Sequence, residues 1–284
     1  MNQWADSILG YQTCSFGSGN LTAREDERID NMSNVKTDVK EMLAAGVHFG
    51  HRTSRRHPKM SPYIHSKRGE AHIIDLIQTD ECLQTALDAV TETVSKGKTV
   101  LFVGTKRQAK DVVKAAAIEA GMPYVTERWL GGMLTNSKTM SARIKHLLDL
   151  EKKMESGELN DRYNKLEVQR FQEEIDRLNR MFDGLKNHPL KPGLIFVTDV
   201  LVDANAVREG NTLHVPVVGV CDTNADPTTI SHPIPANDDA VKSIQLITSY
   251  IVQAVSEGKS RAPKEKPADA AATKKADKKE AEEK

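Results

Sequence analysis

Six cations, Arg52, Arg55, Arg56, Lys59, Lys67 and Arg68, fall between His51 and Arg68 with no acidic residue among them. Pro58 and Pro62 break helical hydrogen bonding there, so the stretch is expected to be an extended or looped basic strip with Tyr63 inside it. A second concentration runs from Lys96 to Lys145, where ten Lys and Arg residues face only Asp111, Glu119 and Glu127. Within it, Gly104-Thr-Lys106-Arg107 follows an apolar run and opens a helical one, which puts two cations where free helix-terminal N–H groups favour anions. Arg128-Trp129-Leu-Gly-Gly-Met-Leu-Thr-Asn136, with Lys138 just beyond, joins a cation, an aromatic ring, a glycine pair for close backbone approach and side-chain hydrogen bonders. Cationic surfaces bind a phosphate backbone by charge pairing and counterion release, and folded RNA is recognised largely through shape, phosphate and 2′-hydroxyl contacts. The candidate RNA contacts are therefore Arg52, Arg55, Arg56, Lys59, Lys67, Arg68, Lys106, Arg107, Arg128, Trp129 and Lys138. Trp129 either stacks on a base or sugar or anchors its turn in the core.

Other chemistries are less well supported. Gly104 is a lone glycine, without the further glycines of a dinucleotide fingerprint. Gly97-Lys98-Thr99 ends like a phosphate-binding loop, but position 92 is Glu and the motif precedes a strand. His48, His51, His57, His65 and His72 are irregularly spaced among arginines, which disfavours a metal; packing or polar contacts are expected. Asp222-Thr-Asn-Ala-Asp226 alternates oxygens like a calcium loop, yet Pro227 stands where that loop needs glycine and no Glu follows at the twelfth position. A strand-end turn is expected there, with a weak Mg²⁺ site as the alternative. No nucleophile elbow and no activated cysteine motif occurs. The expectation is a protein without catalysis, cofactor or assigned metal.

The elements that must position these residues alternate. His72–Ile77 reads as a buried strand, followed by a helix capped by Thr79 or Asp80 and closed by Gly97. Thr99–Gly104 reads as a buried parallel strand, Lys106–Ala120 as a helix closed by Gly121, and Met122–Val125 as a short strand. Gly193–Thr198 and Val215–Cys221 repeat the strand pattern around a helix near Asp203–Glu209. A last helix from Asn237 or Asp238 to about Val255 carries Val241, Ile244, Ile247, Ile251 and Val255 on one face. This alternation predicts an α/β fold, a parallel sheet with helices on both faces. Between Ser137 and Leu185 the strands stop. Val168, Phe171, Ile175, Leu178, Phe182 and Leu185 keep a heptad spacing, and Met140, Ile144, Leu147 and Met154 form a matching stripe, which predicts an inserted antiparallel coiled-coil hairpin.

The 284 residues thus divide into a flexible acidic extension over 1–34, the first part of the body over 35–136, the hairpin over 137–185, the second part over 186–257 and a disordered charged tail over 258–284. Met32 is an alternative start, and the first residues carry no secretory pattern. Forty basic and forty acidic residues give zero net charge, so any nucleic-acid case rests on where the charges sit. No run of 18 apolar residues exists, so no membrane partner is expected. Cys14, Cys82 and Cys221 are far apart, which fits a reducing, cytoplasmic setting.

The segments Leu43–His51, Pro58–Ile64, His72–Leu76, Leu101–Ala109, Arg128–Asn136, Val215–Pro227 and Ile234–Ala240 resemble, in order, those of the bacterial small ribosomal subunit protein number two family, over about residues 36–256. The resemblance implies a flavodoxin-like body with an inserted coiled-coil hairpin. It implies a structural role, holding small-subunit rRNA near the head–body junction and helping to dock neighbouring small-subunit proteins, including ribosomal protein one. The rival class is an α/β enzyme or binding protein for a phosphorylated small molecule, with Gly104–Arg107 and Asp222 lining its pocket.

Overall fold

The computed structural model describes residues 34–262; the expectations for Cys14, for the N-terminal extension up to residue 33 and for the tail from residue 263 lie outside them. Helix α1 (Val39–Ala45) is capped by Asp38, whose side chain accepts from Lys40 N–H, and it ends at Gly46 in the left-handed region. A small antiparallel sheet follows: β1 (Phe49–Arg52), β2 (Ile64–Arg68) and β3 (Ala71–Ile74), with β3 in the centre. The apolar run at His72 is thus a strand, but it belongs to this outlying sheet.

The main sheet holds β4 (Val100–Val103), β5 (Tyr124–Val125), β6 (Leu194–Val197), β7 (Val217–Cys221) and β8 (His232–Pro235). The order is β5-β4-β6-β7-β8, with every pair parallel. Counted from β4 this is 2-1-3-4-5, the flavodoxin-like winding, with its switch point between β4 and β6. Every residue of β4, β6 and β7 is buried, as strands covered on both faces must be.

Two cores flank the sheet. Helices α2 (Leu76–Ser95), α3 (Lys110–Ala120) and the C-terminal helix cover one face, packing Leu87, Val113 and Ile251 against Phe102 and Phe196, whose rings meet edge to face at 5.6 Å. On the other face lie α4 (Ser137–Glu155), α5 (Glu158–Arg162), α6 (Lys165–Phe182) and α7 (Ala204–Thr212). Ile144, Leu147, Ile175, Leu178 and Phe182 join Leu101, Val103 and Val197 in one cluster, so the base of the helical segment is core of the α/β body. Outward from it Val168 and Phe171 are only half covered. His146 Nε2 lies 4.0 Å from Glu174, and Lys186 Nζ donates to Glu151 at 2.7 Å. The helical segment turns at Ser156-Gly157, with Gly157 at φ +77°, and a short α5 intervenes before the Asn164–Glu167 capping box opens α6.

Several boundaries move. The cap of α2 is Asp75, which accepts from Ile77 N–H, while Thr79 sits inside the helix and donates to the Pro235 carbonyl at 2.6 Å. Helix α3 begins four residues late because Lys106–Ala109 forms a turn. The last helix, α8, runs over Val241–Arg261; Asn237 instead accepts from Asp239 and Ala240 N–H as a turn before it. Gly258, the expected start of the tail, is buried in α8 against Val94 and Thr91. No described helix is long and apolar enough to cross a membrane.

Candidate nucleic-acid interface

The basic strip wraps the small sheet and the turns behind it. Arg52 and Arg68 both stand opposite Ala71, so they share a face about 10 Å apart, two strand spacings. Arg55 and Arg56 occupy the turn after β1, and Lys67 pairs in register with His72. All five cations are exposed; among the described residues the one ion pair they make is that of Arg52 Nε with Glu70, at 3.9 Å. Their field reaches inward, since burial and then Arg56 and Lys67 lower the pKa of His72.

The strip is seated on the turn after β7. His57 N–H donates to Thr223 O at 2.7 Å, and His51 N–H donates to Thr223 Oγ1 at 3.0 Å. Gly50 passes so close to Thr223 that a Cβ would lie 2.5 Å from its methyl group. Lys59 is drawn into this seat and differs from its neighbours: Nζ donates to Asp226 Oδ2 at 2.8 Å and Thr228 Oγ1 at 2.7 Å. That bond, first among its causes, holds the Asp226 carboxyl down at about 2. The Asp222–Asp226 segment is therefore the expected strand-end turn, and its oxygens are used by the strip.

At the switch point Lys106, expected as an RNA contact, is turned inward onto carboxylates. Its side chain is 14% exposed, and Nζ lies 2.8 Å from Asp238 Oδ1, 2.8 Å from Asp239 Oδ1 and 3.1 Å from Asp199 Oδ2. Burial alone would lower the Lys106 pKa, but hydrogen bonds to Asp238 and Asp239 outweigh it and hold the ammonium above its usual range. A cation already matched by three carboxylates is a poor phosphate contact. Thr105 completes the cluster, donating from N–H and Oγ1 to Asp203 at 3.1 and 2.8 Å. His51 Nδ1 lies 2.9 Å from Asp222 Oδ2, and that bond raises its pKa. The crevice where a flavodoxin-like fold would bind a phosphorylated ligand is thus filled by the chain's own charges. Ligand atoms of His51, Asp222 and Asp238 fall within 4.8 Å of one another, the arrangement nearest a metal set among the described residues. Lys106 already supplies its counter-charge.

The Arg128–Asn136 loop also closes on a charge of its own. Glu209 of α7 accepts from Trp129 Nε1 at 3.0 Å, Gly132 N–H at 2.8 Å, Leu134 N–H at 3.0 Å and Thr135 N–H at 3.2 Å. Burial would raise the pKa of Glu209, but these donors hold it below the usual range. Gly132 has φ +83°, the left-handed conformation that turns its N–H toward the carboxylate. Trp129 is buried, so of its two expected roles the structure places it in that of core anchor. Glu209 was invisible to sequence reasoning, because nothing local marks which carboxylate a distant loop will enclose. Arg107, Arg128 and Lys138 remain exposed. Arg107 follows β4, Arg128 follows β5 and the strip rests on the turn after β7, so all lie beyond carboxyl ends of parallel strands, at one end of the sheet.

Residues 42–258 match the family model described as ribosomal protein S2. The chain is 47% identical over 223 residues to the small ribosomal subunit protein uS2 of Chloroflexus aggregans, covering 78% of this chain and 93% of that one. It is 45% identical over 231 residues to the protein of that name from Syntrophobacter fumaroxidans, covering 81% and 84%, and 46% identical over 221 residues to that of Thermus thermophilus, covering 78% and 86%. The self-filled switch point and the exposed cations around it accord with this likeness, and the chain belongs to the ribosomal protein S2 family, a structural and not an enzymatic one.

Proposed function

We propose that the chain is a structural constituent of the small subunit of a cytoplasmic ribosome, gripping small-subunit rRNA near the head–body junction with the carboxyl-end face of its sheet. The observation that carries this is the strip itself. Arg52, Arg55, Arg56, Lys67 and Arg68 are exposed, carried on a folded sheet and its turn, and paired among the described residues with a single exposed carboxylate, Glu70. Cations held on a rigid frame lose little conformational freedom when they meet phosphates, and each contact releases counterions. Arg107 and Lys138 extend the face, whereas Lys106 and Trp129 act from behind it by fixing the loops.

The helical segment α4–α6 is the part of the chain suited to protein docking, as a coiled-coil hairpin beside which neighbouring small-subunit proteins, ribosomal protein one among them, would sit. The test is entry into small subunits. An Arg52/Arg55/Arg56→Ala variant should incorporate less than wild type at raised salt, and its rRNA affinity should have a salt slope smaller by about one unit per lost phosphate contact. Wild-type incorporation and an unchanged slope would remove the strip from the interface.

A further inference from the structure

A crevice of about 320 Å³ opens beside the sheet edge formed by β5, and three guanidinium groups line it together with Glu127 and Met181. Arg128 comes from the loop after β5. Arg177 and Arg180 come from α6, three residues apart and hence neighbours on one face of the helix. Their charge is poorly balanced. Glu127 is engaged by Lys110, whose Nζ donates to it at 2.8 Å. Arg177 lies 3.8 Å from Glu174 with its side chain 61% exposed. Among the described residues Arg180 Nε donates only to a backbone carbonyl, that of Asp176, at 3.4 Å. Arg128 makes no hydrogen bond or ion pair with any described residue. An adjoining cavity of about 420 Å³ shares Glu127, Arg180 and Met181. Its three lysines are matched, Lys110 by Glu127, Lys114 by Asp183 and Lys186 by Glu151, so the unbalanced charge concentrates among the three arginines.

We infer that Arg128, Arg177 and Arg180 form a second phosphate seat for the RNA that the basic strip binds. The inference rests on the reading of this chain as an rRNA-binding protein. Guanidinium forks match the paired oxygens of a phosphodiester, and three of them on one concavity are most stable around a group that offers several acceptor oxygens at once. The placement favours RNA over an acidic peptide. Arg128 stands three residues beyond the carboxyl end of β5, and the strip rests on the turn after β7, at the same end of the sheet. Those strands are three pairings apart, about 14 Å at ordinary strand spacing. A backbone charged at every nucleotide bridges that gap with a few residues and meets both cation groups in one binding event.

The experiment uses the full chain and in vitro transcribed small-subunit rRNA over a series of KCl concentrations. It compares wild type with R128Q/R177Q/R180Q, with the charge-keeping R128K/R177K/R180K, and with the strip variant R55Q/R56Q. The glutamine triple should bind about tenfold or more weakly, with a salt slope reduced by two to three units, roughly one per phosphate. The lysine triple should recover most of the slope. All three arginines are exposed and thermal melts check the fold; R128Q alone, on its loop, gives a one-unit change if the triple melts early. A glutamine triple with wild-type affinity and slope, beside a weakened R55Q/R56Q, overturns the crevice and leaves the rRNA reading standing. Wild-type protein that fails to bind rRNA overturns that reading, and the crevice with it. Binding of polyglutamate that the glutamine triple loses, with rRNA affinity unchanged, reassigns the crevice to an acidic protein and overturns the inference.

Discussion

The indole N–H of Trp129 donates to Glu209 Oε1 at 3.0 Å, and around that bond the whole Arg128–Asn136 loop is organised. A loop with two glycines, an aromatic ring and hydroxyl and amide groups has the composition of an anion cradle. Here the anion is built in, on α7, so the loop is fixed before any RNA arrives and its outward product is a positioned Arg128.

The first prediction concerns that carboxylate. Charge-assisted hydrogen bonds contribute about 1.5–3 kcal/mol each, and a neutral amide keeps only part of this, so Glu209→Gln should cost about 2–3 kcal/mol in urea unfolding at neutral pH. The pH dependence follows from the lowered pKa of Glu209. A group whose folded pKa is depressed adds stability that is fully present above its unfolded pKa, about 4.3, and is lost as pH falls through the folded value. The gap between wild type and E209Q should therefore be widest near neutrality and shrink below pH 4.3 or so. A gap independent of pH would mean that packing around Trp129, and not the charge, is what Glu209 supplies.

Adjacent cations should separate cleanly. Lys106→Met removes an ammonium from among Asp199, Asp238 and Asp239, leaving buried carboxylates unmatched, a loss of about 3–5 kcal/mol. Arg107→Gln, one residue on and exposed, should leave stability within about 0.5 kcal/mol and lower rRNA affinity with a shallower salt slope. Urea titrations and filter binding on both variants check this; a stable K106M with weakened RNA binding would return Lys106 to the interface.

Much of this fold was legible in the sequence because its strands announce themselves. Val100–Val103, Leu194–Val197 and Val217–Cys221 are continuous apolar runs that only a sheet covered on both faces would hide, and glycines end the intervening helices at Gly97 and Gly121. What sequence could not show was pairing at a distance. Lys106 reads as a surface cation until Asp238 and Asp239, more than 130 residues later, are brought to it. Trp129 was open between stacking and anchoring until α7 supplied Glu209. The outlying place of the His72 strand was equally hidden, since a short apolar run is the same whether its neighbours are parallel or antiparallel. Arg55 and Arg56 stand exposed on the turn after β1, where no described group of the fold is brought to meet them.

Close backbone approach gives the third prediction. Gly184, in the turn that follows α6, lies against β5, and a Cβ there would stand 2.6 Å from the Tyr124 ring. Tyr124 cannot swing away freely, because its hydroxyl donates to Asp183 at 2.7 Å. Gly184→Ala should therefore pry the turn from the sheet edge and cost about 1–3 kcal/mol, the usual range for overpacking. Chemical denaturation measures it, and an unchanged midpoint would show that the turn moves aside without cost.

The last prediction asks whether the helical segment is an appendage or a wall. Removing residues 140–183 and rejoining the chain would delete Ile144, Leu147, Ile175, Leu178 and Phe182, which bury Leu101, Val103 and Val197 on one face of the central strands. Loss of a single large core side chain costs about 2–5 kcal/mol, and a domain has only about 5–15 kcal/mol in total, so the shortened chain should show no cooperative unfolding transition. Trimming only the outer part, residues 155–168, keeps the buried cluster and Met154, which packs against it, and should leave a folded body that still binds rRNA. A docking role carried by the outer turns would then appear as loss of a protein neighbour from assembled subunits with rRNA affinity intact. A cooperative transition in the 140–183 deletion would instead establish that the sheet keeps its fold without that layer, and that α4 and α6 merely lean on it.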